Sequence, residues 1–75
     1  MTPLTPEDLD LIALVLAGFG MCLIDTDQRE WEVVRARKSR PGIAAYDRDG
    51  AANALSLAGY ASHPYFHTSI QIFKP

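Results

Sequence analysis

Any catalytic or metal chemistry in this chain would have to come from a few side chains. A metal site needs three or four His, Cys or carboxylate ligands converging on one point. His63 and His67 stand four apart, but Pro64 breaks any helix that would turn both to one face, and no Cys-x-x-Cys pattern completes the set. Asp25-x-Asp27 and Asp47-x-Asp49-Gly50 each begin like a calcium loop, yet neither continues to the third carboxylate and distal Glu such a loop requires. Turn and helix-cap roles account for both pairs. Cys22, the single cysteine, sits in the apolar run Met21-Cys22-Leu23-Ile24, where desolvation disfavours the reactive thiolate; it reads as a packed core thiol. Ser39, Ser56, Ser62 and Ser69 lie in no nucleophile-elbow context, and Gly18, Gly20 and Gly42 form no phosphate loop. With no nucleophile, base and orienting group in sight, the residues predict no enzyme, no cofactor and no metal.

The elements that would position any working surface are clearer. Thr5 is a good N-cap, Pro6 suits the first helical position, and Glu7 and Asp8 place negative charge at the positive end of a helix dipole. Leu4 and Leu9 have the spacing of a hydrophobic staple, and Gly18 followed by Phe19 has that of a Schellman-type stop. These signals predict a helix over 6–17. Leu9, Ile12, Ala13 and Leu16 form one apolar stripe. The opposite side is apolar too, since no polar residue follows Asp10, and Leu11, Leu14 and Val15 occupy it. A sheet wrapped around the helix, a second copy of the chain, or another protein would have to cover that face.

Beyond Gly20 the period becomes extended. Residues 21–25 read as a short strand, 25–28 as a turn and 30–37 as the hairpin mate. Trp31, Val33 and Arg35 share one face, with Trp31 expected to anchor the core, and Glu32, Val34 and Ala36 share the other. Residues 38–42 make the next turn, and 43–46 a short third strand or the start of a longer helix. Asp47 or Asp49 caps a second, alanine-rich helix that Gly59 ends. Ser62-His63-Pro64 reads as a break, and 65–74 as a final strand with Phe66, Ile70 and Ile72 on one face. The expectation is a single α+β domain over 1–75, in the order α-β-β-(β)-α-β, with an antiparallel sheet and helices packed on one face.

Composition narrows the setting. A lone cysteine excludes a disulfide scaffold, which points to a reducing cytoplasm. The uncharged run 11–24 is shorter than the roughly 20 residues of a spanning helix and is interrupted by Gly18 and Gly20, so no membrane is expected. The first ten residues carry no Lys or Arg, unlike a secretory signal. Arg35, Arg37, Lys38 and Arg40 crowd one strand end and its turn, a candidate contact surface for protein or phosphate. A formal charge of −2 argues against a dedicated nucleic-acid binder. The α-β-β-β-α order resembles double-stranded-RNA-binding domains, but Asp47 and Asp49 open the helix where those domains place phosphate-gripping lysines.

The small size, the strand Glu30-Trp31-Glu32-Val33-Val34-Arg35-Ala36-Arg37 and the helix Gly50-Ala51-Ala52-Asn53-Ala54-Leu55 together resemble stand-alone α+β proteins of phages and mobile elements, anti-CRISPR proteins among them. That resemblance implies stoichiometric inhibition. The protein would occupy a surface of a CRISPR effector complex and block target DNA or nuclease recruitment without catalysis. The expectation is therefore a protein-interaction module with Arg35, Arg37, Lys38, Arg40, Leu11, Leu14 and Val15 as contact residues, and a homodimer through the first helix as one arrangement. Nucleic-acid binding or an adaptor role through the basic hairpin end is the alternative.

Overall fold

The computed structural model describes residues 2–24, 32–39 and 45–75. Helix α1 (Pro6–Ala17) begins where its capping residues place it. The Thr5 hydroxyl accepts from the Asp8 N–H at 3.1 Å, and the Asp8 carboxylate accepts from the Thr5 N–H at 2.8 Å, a reciprocal capping box. Leu4 and Leu9 are both buried, as a staple requires. The helix closes through i→i−3 bonds from Gly18, Phe19 and Gly20. Gly18 itself keeps a right-handed conformation (φ −68°). The left-handed turn falls at Gly20 (φ 69°) instead, directing the chain into β1 (Met21–Ile24).

Strand β2 (Val33–Lys38) returns antiparallel to β1, with Leu23 opposite Ala36 and Ile24 opposite Arg35. Helix α2 (Arg48–Leu57) follows, capped by Asp47, whose carboxylate accepts from the Gly50 N–H at 2.9 Å. It ends in a Schellman motif: the Tyr60 N–H reaches the Leu55 carbonyl, the Gly59 N–H reaches that of Ser56, and Gly59 takes φ 97°. Strands β3 (Ala61–Tyr65) and β4 (Ser69–Phe73) form the closing hairpin. The sheet order is β1-β2-β4-β3, every neighbouring pair antiparallel. β2 and β3 are thus parallel, joined through α2, with β4 inserted between them.

The chain is an α+β domain as the sequence suggests, but its order is α-β-β-α-β-β. The expected break at Ser62-His63-Pro64 lies within strand β3, and the expected single strand 65–74 divides into the last residue of β3, a turn over 66–68 and β4. Pro64 is accommodated because β3 is an edge strand paired only with β4, where a missing N–H leaves no ladder partner unmet. Phe66, expected on the face of Ile70 and Ile72, is instead 78% exposed in the turn. Of the expected third strand, residues 43 and 44 lie outside the described residues, and Ala45 and Tyr46 are not in a strand. Trp31 also lies outside them.

The core forms on one face of the sheet. Val34 and Ala36 of β2 and Ile70 and Ile72 of β4 point into it, meeting Ile12 and Leu16 of α1, Ala51 and Leu55 of α2, and Met21 and Tyr60. The parity of β2 is therefore opposite to that expected. Val34 and Ala36 are buried, whereas Val33 is 38% exposed and Arg35 half-buried on the other face. On α1 the buried stripe runs through Leu9, Ile12 and Leu16, with Val15 packed against its flank, while Ala13 is exposed.

Candidate functional site

Strand alternation assigns the remaining sheet residues to a second face. Three rows run across it. Ile24, Arg35, Gln71 and His63 lie side by side, as do Cys22, Arg37, Ser69 and Tyr65, and Val33, Phe73 and Ala61 make the third. Every one of these residues is exposed or half-buried. None is a carboxylate, because strands β1 to β4 contain no Asp or Glu.

Aromatic rings and cations are interleaved on this face. The Arg35 guanidinium lies over the Tyr65 ring, 5.6 Å from its centre, at cation–π distance. The His63 and Phe73 rings sit 5.1 Å apart, tilted by 32°. Tyr65 meets Phe66 edge to face at 4.4 Å. Phe66 holds a left-handed backbone (φ 55°), unfavourable for a residue with a Cβ. Arg48 of α2 holds that turn in place by donating to the carbonyls of Phe66 (3.0 Å) and His67 (3.1 Å).

The expected contact residues are divided by this geometry. Arg35 and Arg37 stand on the open face. Lys38, at the end of β2, belongs to the opposite parity and lies 5.6 Å from the Tyr46 ring centre. Arg40 falls outside the described residues. Leu11 (42% exposed) and Leu14 (73%) occupy the outer side of α1, on the far side of the helix layer, while Val15 packs partly against the core. Intramolecular burial of that helix on both sides is excluded for Leu11 and Leu14. Cys22 is half-buried on the open face opposite Arg37, not packed in the core.

Phe66 was expected on the face of Ile70 and Ile72, and the other aromatic members, His63, Tyr65 and Phe73, were not among the expected contact residues. Their alternation across 61–65 and 69–73 was a signal, but Pro64 concealed it. His63 lies on the sheet and His67 in the turn, and among the described residues no group of three or more His, Cys, Asp or Glu could hold a metal ion.

A heavily bonded polar group lies elsewhere. The Asp8 carboxylate accepts from the Tyr60 hydroxyl at 2.6 Å, Lys74 Nζ at 2.9 Å, the Thr5 N–H at 2.8 Å and the Thr5 hydroxyl at 3.0 Å. The Tyr60 bond above all, then Lys74 and Thr5, hold its pKa well below the usual carboxylate range. Burial first, then the hydrogen bond to Asp8 and the Asp8 charge, push the Tyr60 hydroxyl up to about 12. A carboxylate so fully occupied is a structural clasp joining the start of α1 to the residues beside β3 and β4.

Among the described residues no helix is long and apolar enough to cross a membrane. No protein-family model matches the chain, and neither a characterised protein nor a solved structure is significantly similar to it.

Proposed function

We propose that this chain is a non-enzymatic binding module that occupies a surface of a larger protein or nucleoprotein complex, with the open face of the sheet as its contact surface. One observation carries the reading: the strand residues of one sheet face, none of them a carboxylate, display arginine and aromatic side chains outside the core. Arg and aromatic residues are the types most enriched where proteins grip partners. Stoichiometric inhibition of the anti-CRISPR kind is the form of this role that the small size and the resemblance suggest. A homodimer through α1 is a second arrangement, supported by the exposure of Leu11 and Leu14.

The test compares capture by tagged wild type, Arg37→Glu and Leu14→Asp from a bacterial lysate, with and without nuclease. Loss of a defined complex in Arg37→Glu with retention in Leu14→Asp is the expected result. The reverse pattern would move the contact surface to α1, and capture indifferent to Arg37 would remove the sheet face as the contact.

A further inference from the structure

We infer that the outer edge of β3 takes up an extended basic peptide segment as an added strand, in the groove between β3 and α2. This surface is separate from the open sheet face and does not depend on it. The hydrogen-bond parity of the sheet is the first argument. The Lys38 N–H donates to the Thr68 carbonyl at 3.1 Å, so the pairs in step with it, Ala36–Ile70 and Val34–Ile72, exchange the bonds that join β2 to β4. Ser69, Gln71 and Phe73 therefore turn their backbone groups toward Tyr65, His63 and Ala61 of β3. Ser62 and Pro64 turn theirs outward, away from the sheet. Pro64 fits that parity, because its nitrogen has no hydrogen to give to β4. Among the described residues no strand pairs with this edge.

What the edge offers selects the partner. Its outward groups are one donor, the Ser62 N–H, and two acceptors, the Ser62 and Pro64 carbonyls. A second copy suits such an edge poorly. Pairing β3 with β3 brings only one outward N–H from each chain, and the neighbouring Tyr60 N–H is committed to the Leu55 carbonyl at 2.9 Å. A foreign extended segment carries an N–H at every residue except proline. It can donate to both carbonyls while accepting from Ser62, which is the chemistry of strand addition.

The groove beside the edge is the third argument. It encloses about 480 Å³ and is lined by Asp49, Ala52, Asn53 and Ser56 of α2 with Ala61 and Ser62 of β3. The four α2 residues recur at the spacing of one helical face. Their side chains are short, so a second backbone has room to lie against β3. The Asp49 carboxylate is exposed and has no ion-pair partner among the described residues, and none of the described residues lining the groove is a cation. A fixed negative charge beside an edge with more acceptors than donors favours a segment bearing Lys or Arg.

The experiment titrates the full chain with a labelled peptide of about eight residues alternating lysine and valine, and with its glutamate–valine counterpart, by fluorescence anisotropy. Nuclear magnetic resonance follows hydrogen exchange at the Ser62 amide in the same samples. The lysine peptide is expected to bind about tenfold more tightly than the glutamate peptide, and Asp49→Lys should remove that preference. At saturation, exchange at the Ser62 amide should slow by about tenfold or more as its N–H gains an acceptor. Ser62→Pro, which deletes the one outward donor, should weaken binding about tenfold, and Asp49→Lys carries the test if that variant fails to fold. Arg37→Glu, on the open face, should bind the lysine peptide as wild type does. Equal affinity for both peptides, an unchanged Ser62 amide at saturation, or no binding would overturn the inference. Loss of binding in Arg37→Glu would place the peptide on the open face instead and overturn it too. Concentration-dependent protection of the Ser62 amide without peptide, with a dimer by light scattering, would give the edge to a second copy, and the inference would likewise fall.

Discussion

Asp8 ties together three parts of the chain that are distant in sequence. Its carboxylate caps its own helix through Thr5, receives the Tyr60 hydroxyl from beside β3, and pairs with Lys74 beyond β4. Hydrogen bonds to an ionised group contribute about 1.5–3 kcal/mol, so Asp8→Asn should cost about 2 kcal/mol. That corresponds to a fall of roughly 8–15 °C in Tm for a domain of this size, readable by circular dichroism. The pH dependence has a definite sign. The folded-state pKa of Asp8 is depressed, so its stabilisation is fully present above the unfolded value of about 4 and is lost as pH falls through and below it. Asp8→Asn should flatten this acid limb, and an unchanged limb would show that other carboxylates cause it. Tyr60 acts in the opposite sense: its raised pKa contributes stability below about pH 10 that disappears as pH rises through about 12.

At the scale of elements, α2 shows how close approach sets a residue type. A Cβ at Gly50 would meet the Asp47 carboxylate that caps the helix and the Phe19 ring 2.8 Å away. Helix propensity alone favours Ala over Gly by about 1 kcal/mol. Because Asp47 would have to leave its capping position and Phe19 its place, Gly50→Ala is expected to lose about 1 kcal/mol net in chemical denaturation. A gain in stability would show that the contact relaxes freely. The bounds of α1 were readable from the residues, because the capping box, the N1 proline and the staple are local devices. The β3–β4 hairpin was not, because proline normally interrupts a strand and only edge position permits it. The faces of β2 were legible in period but not in sign: Val33-Val34-Arg35-Ala36 alternates either way, and the packing of Val34 and Ala36 against the helices decides it.

For the whole molecule, two helices cover one face of a four-stranded sheet, and the strand residues of the other face are exposed or half-buried. Leu11 and Leu14 lie outside the core as well. Leu14→Asp should therefore leave the thermal melt within a few degrees of wild type, as surface substitutions do. If wild type is a dimer by light scattering, this variant should be monomeric where α1 forms the contact. An unfolded Leu14→Asp would show that the helix exterior is buried after all. The candidate site was half legible at this scale. Arg35 and Arg37 were visible as a basic cluster, but their separation from Lys38 and their union with Tyr65 and Phe66 required the sheet to be assembled.

By itself the sequence determined what depends on neighbours within a few positions: the α1 boundaries, a start for α2 at Asp47 or Asp49 and its end at Gly59, the first hairpin and the α+β class. Caps and turns act through bonds between residues three to five apart, so their chemistry is written locally. Only the tertiary structure decided which parity of each strand faces water, that Pro64 belongs to an edge strand, and that the Tyr65 ring of β3 meets the Arg35 guanidinium of β2. Those outcomes follow from strand order and from the helices packing on one side, and both come from the burial of residues distant in sequence.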